Sequence, residues 1–113
     1  MTKETIDAIY RQIGENMTQA QEEAARLTRE DRRDEAALAK IRGNVNGIAR
    51  SLMDTLLKGD PAGHAAKAKF EAVTDQWRAH RAQAQEHGDG VQAALEDVKL
   101  AEADALLALM REE

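Results

Sequence analysis

The sequence predicts an all-α protein, an antiparallel helical bundle of about four helices. Three observations carry that expectation. Alanine, the best helix former, supplies 22 of the 113 residues. Apolar residues recur at seven-residue steps through the first half of the chain. Gly-Asp pairs at 59–60 and 88–89 punctuate the second half, and no stretch alternates apolar with polar as a half-buried strand does. A single helical domain spanning 1–113 is expected at this length.

The first helix is expected over 3–27. Ile6, Ile13, Ala20 and Leu27 lie at heptad steps, with Tyr10, Met17 and Ala24 as the companion series. Asp31 and Asp34 then interrupt the seam within the mixed-charge run from Thr28 to Glu35. Thr28 with Asp31 matches a capping box, so a second helix is expected to start near 30 and run to 58. Leu38, Ile41, Val45, Ile48 and Leu52 continue the heptad in its original phase. That continuity leaves an alternative, one N-terminal helix of about fifty residues packed against two shorter ones. Gly43 and Gly47 read as weak points inside a helix, and with Ala36 and Ala39 they make a small-residue face open to close approach.

The punctuation of the second half is more explicit. Gly59 fits a helix C′ position, Asp60 an N-cap and Pro61 the first helical residue, which places a third helix over 61–87. Its seam would carry Phe70, Val73, Trp77, His80, Ala84 and His87. Gly88 at C′, Asp89 as N-cap and Gln92 three residues on make a variant capping box, and a fourth helix follows over 90–112.

Large apolar side chains are scarce: ten Leu, five Ile, four Val and one Phe. At about 25 cal/mol per Å² of buried apolar surface, alanines stabilise a core far less than leucines do. Burial against a second copy is therefore expected. The run from Ala105 to Met110 is apolar all round, and helices of that kind are buried on all sides. Trp77, Leu106, Leu107, Leu109 and Met110 are accordingly the expected interface residues, and a homodimer the expected state.

Charge singles out the same segment. Residues 1–58 and 59–87 are each balanced, so the whole net charge of −5 falls in 88–113. With Leu95, Val98, Leu106 and Leu109 docked, Glu96, Asp97, Glu102 and Asp104 would face outward as an acidic surface for a basic protein partner.

Signals for chemistry are absent. There is no cysteine, hence no disulfide or thiolate. His64, His80 and His87 lack the Glu-x-x-His and His-Glu-x-x-His spacings of metal-binding helices. The loop from Gly59 to His64 lacks the Gly-Lys-Ser/Thr ending of a phosphate loop. No catalytic residue, cofactor or metal is expected. The arginines at 26, 29, 32 and 33 are cancelled by Glu30, Asp31, Asp34 and Glu35, which disfavours nucleic acid. No apolar run approaches the roughly 18 residues of a membrane span. The start, Met1-Thr2-Lys3-Glu4, carries no signal-peptide pattern, and a cytoplasmic location is expected. The reading is a non-catalytic protein–protein interaction or assembly module that self-associates. Its rival is a helical regulator binding a small molecule or nucleic acid.

Overall fold

Four helices form in the computed structural model, which describes residues 1–111: α1 (Lys3–Arg29), α2 (Arg33–Leu56), α3 (His64–Glu86) and α4 (Gly90–Arg111). The single fifty-residue N-terminal helix does not form. The end expected at residue 112 lies outside the described residues.

α1 starts at Thr2, whose hydroxyl accepts from the Thr5 amide at 3.1 Å. It stops because Asp31 adopts a left-handed conformation, φ 60°. The Arg32 amide then donates to the Leu27 carbonyl at 2.8 Å, and the Asp31 amide to Thr28 at 3.1 Å. These are the two bonds of a Schellman stop, with Asp in the position glycine usually holds. The expected Thr28 capping box is absent. Thr28 is still inside α1, where its hydroxyl donates to the Ala24 carbonyl at 2.7 Å. The break thus falls at the acidic interruption of the heptad, but it works by ending α1. α2 begins at Arg33, its N-cap Arg32 makes no side-chain cap bond, and Asp34 and Glu35 in its first turn suit the positive end of the helix dipole.

Between α2 and α3 the chain takes a longer loop than expected. α2 ends at Leu56, and Pro61 lies in the turn closed by the Gly63 amide donating to the Asp60 carbonyl at 3.0 Å. α3 therefore starts at His64 rather than at Pro61. Asp60 still caps it, accepting from the Ala65 amide at 2.9 Å. The left-handed residue here is Gly63, φ 81°, packed beneath the Met1 side chain.

The α3–α4 turn follows the sequence closely. Gly88 is left-handed at φ 68°, the Asp89 amide reaches the Ala84 carbonyl at 2.8 Å, and Asp89 accepts from the Gln92 amide at 3.0 Å. Gln92 does not complete the box by reaching back. Its side chain donates instead to Glu96, at 2.8 Å.

The helices run up-down-up-down. The Met1 amino group donates to the Ala62 carbonyl at 2.7 Å, and Arg111 approaches Glu71 at 3.5 Å. The start of α1, the α2–α3 loop and the end of α4 therefore share one end, the base. The turns at 30–32 and 87–89 form the opposite end, the tip. α1 packs chiefly on α2, and α3 on α4. α2 and α4 also meet directly, whereas α1 and α3 do not approach each other.

One core cluster joins Ile9 and Ile13, Val45, Ala49 and Met53, Phe70 and Trp77, and Leu100, Leu106, Leu107 and Met110. A smaller one near the tip, Ala24, Leu27, Ala36 and Ala39, is nearly all alanine. Alanine clusters bury area only if backbones come close. Gly43 meets that need: a Cβ built on it would sit 3.4 Å from the Ala20 methyl, and one on Gly47 would sit 3.8 Å from Met17 Cε. α2 stays helical through both glycines.

The two left-handed stops make opposite predictions. Asp31→Gly should raise stability in urea unfolding by roughly 0.5–1 kcal/mol, because glycine adopts this conformation freely. Gly88→Ala should lower it by about 1 kcal/mol for the same reason. Shifts of the same sign at both sites would contradict these stops.

Candidate functional site

The expected interface residues lie inside the chain's own core. Trp77, Leu106, Leu107 and Met110 are buried, and Leu109 is partly buried against the same cluster. Lys99 lies over the Trp77 ring, 5.7 Å from its centroid. The large side chains of the apolar segment are covered by the same chain, while Ala105 and Ala108 face solvent. His80 and His87 are exposed, so the α3 core face is Ala66, Phe70, Thr74, Trp77 and Ala84.

The acidic surface is corrected more sharply. The inward stripe of α4 is Glu96, Leu100, Ala103, Leu107 and Met110, at i, i+4, i+7, i+11 and i+14. Glu96 is thus on the core face and 1% exposed, not displayed outward. Its Oε1 accepts from Gln92 at 2.8 Å and from Lys99 at 3.3 Å, while Oε2 is buried without a partner. Glu102 also turns inward, towards Asn46. Asp97 and Asp104 are exposed but engaged, with Arg81 and Arg78 of α3, each at 2.6 Å. No continuous acidic strip faces solvent along α4, because two of its four carboxylates serve packing and two pair with the neighbouring helix.

The packing instead assembles a polar junction where α1, α2 and α4 meet. Asn46 is fully buried. Its Oδ1 accepts from Asn16 at 3.0 Å, and its Nδ2 donates to Glu102 at 2.7 Å and to the Arg42 carbonyl at 2.9 Å. Arg42 in turn reaches Glu23 at 2.8 Å. Every bonding group of the Asn46 amide is engaged, so the junction fixes the mutual register of three helices, as a buried Asn does in coiled coils. The heptad reading overlooked it because Asn16 and Asn46 lie beside the seam. Two asparagines flanking apolar seams at matched heights of a helical hairpin were the available signal.

On the other side of the α1–α2 contact, no other helix lines the surface among the described residues. A continuous apolar groove runs there from the tip towards the base. Its tip half, about 680 Å³, is floored by Ala20, Ala24 and Gly43 and flanked by Arg29 and Lys40. Its base half, about 540 Å³, lies between Met17, Gly47, Ile48 and Leu52, with Asn44 and Ser51 on its edges. Ile48 is 38% exposed although it stands in the heptad series. The core face of α2 runs through Val45, Asn46, Ala49 and Met53, which turns Ile48 outward. Beyond the groove's base end, the Tyr10 hydroxyl donates to Asp54 at 2.7 Å. Burial and this bond push the Tyr10 pKa up to about 12.

Among the described residues no group of three His, Cys, Asp or Glu side chains could hold a metal ion, and no helix is long and apolar enough to cross a membrane. No family model, curated protein or solved structure matches the chain.

Two measurements test this geometry. Asn46→Ala should lose roughly 2–3 kcal/mol of stability, because it leaves the Asn16 and Glu102 side chains without their shared partner. A loss no larger than that of an exposed helical Asn→Ala control would contradict the junction. Tyr10, the lone tyrosine, should titrate near 12 in an ultraviolet pH titration. Since this folded value exceeds the ordinary 10, the stability Tyr10 confers should be whole below pH 10 and fade as pH rises towards 12. A midpoint at 10 would show the Asp54 bond to be absent.

Proposed function

We propose that the protein is a non-catalytic helical interaction module that self-associates through the base half of the outer groove. The observation that carries this reading is the lining of that half. Met17, Gly43, Asn44, Gly47, Ile48, Ser51 and Leu52 include no charged residue, in a chain that is 33% charged. A two-fold contact sets a patch against its own copy, so any charge near the axis would meet its like. Charge depletion at the centre is also what distinguishes protein interfaces from ordinary surface. Met17, Ile48 and Leu52 supply apolar area. The self-complete core removes α4 as the motive for pairing. Pairing through the groove is an association of folded chains and not a condition of folding.

The test is sedimentation equilibrium at high micromolar concentration. The wild-type chain should populate a dimer. Ile48→Glu should sediment as a monomer with unchanged helical circular dichroism, because it brings two carboxylates together at the axis. A wild-type chain that remains monomeric, or an Ile48→Glu chain that dimerises as well as wild type, would overturn the proposal.

A further inference from the structure

The tip half of the groove differs from the base half in one respect, its charge. The tip of the α1–α2 hairpin is dense in ion pairs. Arg26 bonds Glu30 at 2.8 Å, Arg32 bonds both Glu30 and Glu35, Arg33 lies 3.4 Å from Asp31, and Arg42 is 2.8 Å from Glu23. Arg29 and Lys40 are the exceptions. Among the described residues neither has a carboxylate within ion-pairing distance, and both line the groove. The groove between them and Met17 contains no acidic side chain.

We propose that this half of the groove binds a single-chain anionic amphiphile, a fatty carboxylate, with its headgroup between Arg29 and Lys40 and its alkyl chain along the Ala24, Ala20 and Met17 floor. The two cations supply the charge complementarity: Arg29 stands at the tip end, and Lys40, three residues before Gly43 and so level with Ala24, stands about 8 Å further along the wall. The floor supplies methyl groups and a glycine, and Gln21, Thr28 and Asn44 stand on its edges. From Arg29 to Met17 the trough runs roughly 18 Å at 1.5 Å per helical residue, the length of an extended fatty chain. Its volume of about 680 Å³ falls within the range of small-molecule sites. Shape favours this occupant over a helix. α1 and α2 meet at van der Waals distance where Gly43 faces Ala20, so the trough between them is narrow. An alkyl chain is narrower than a helix, which is about 10–12 Å across, and has no backbone polar groups to satisfy.

The site borders the uncharged patch proposed for self-association and shares Met17, Gly43 and Asn44 with it, so each titration is repeated with Ile48→Glu, which tests binding whether or not the wild-type chain pairs. Isothermal titration calorimetry of the full chain with sodium dodecanoate, kept below micelle formation, should show one site per chain. Dodecyltrimethylammonium, with an equivalent tail and a cationic head, should bind at least about tenfold more weakly. The double variant Arg29→Gln/Lys40→Gln alters two exposed side chains, and its thermal unfolding serves as the folding control. It should lose the headgroup preference and keep the fold. Octanoate should bind at least about tenfold more weakly than dodecanoate, because it buries fewer methylenes. Amide shifts on adding dodecanoate should centre on Met17, Ala24 and Gly43. Absence of dodecanoate binding at millimolar concentration would overturn the proposal. So would equal affinity for both headgroups, several equivalents bound with loss of structure, or shifts centred in the α3–α4 hairpin.

Discussion

Close contact between α1 and α2 is the constraint on which the rest of the structure depends. A chain with 22 alanines and few large apolar residues cannot fill a wide bundle core. It gains burial by bringing backbones together, and this happens where Ala20 faces Gly43 and where Ala24, Ala36 and Ala39 cluster with Leu27. The position at Gly43 has room for a methyl and little more. Dispersion across such a contact is small per atom pair and adds up only when the surfaces touch throughout. Each of two helices held this close presents one groove on either side of their contact. α4 covers the inner side, where Glu102 reaches Asn46, while the outer groove stays open among the described residues. The fold and the proposed interaction face thus share one origin.

The polar junction at Asn46 complements that constraint. A contact between alanine faces specifies register weakly, because methyl groups interdigitate in several offsets. A buried amide with all its bonding groups engaged does not tolerate such offsets, since any slip leaves a donor or acceptor unsatisfied in the core. Asn16, Asn46 and Glu102 therefore supply specificity where the alanines supply proximity. Glu96 is less fully bonded: its Oε1 accepts from Gln92 and Lys99, and its Oε2 stays buried without a partner.

Much of the fold was legible because local signals sat at the right spacings. Gly88, Asp89 and the heptad positions Ile13, Ala20 and Leu27 do what their residue types imply. The start of α3 was misread because Pro61 is as well suited to a turn as to a first helical residue, and Gly63 provides the left-handed entry. The site was far less legible. The charge of Glu96 predicts a surface position, although its spacing from Leu100, Ala103 and Leu107 places it on the buried stripe. The heptad predicts Ile48 in the seam because it keeps its phase across the break at Asp31. The break releases α2 to rotate, and the tertiary contact with α4 then selects the Val45–Ala49–Met53 face. Periodicity reports which positions can share a face, and packing decides which of those faces is buried.

The central claim is that one chain completes its own core and leaves the outer α1–α2 groove as the surface for others. Amide hydrogen exchange across a dilution series tests it most directly. In a folded chain, exchange of core amides reports global opening. At low micromolar concentration, the amides of Leu106, Leu107 and Met110 in α4 should exchange as slowly as those of Ile13 in α1, and further dilution should not accelerate them. If α4 loses protection on dilution while α1 and α2 keep theirs, its apolar segment is buried only by a second chain, and the account given for this fold is wrong.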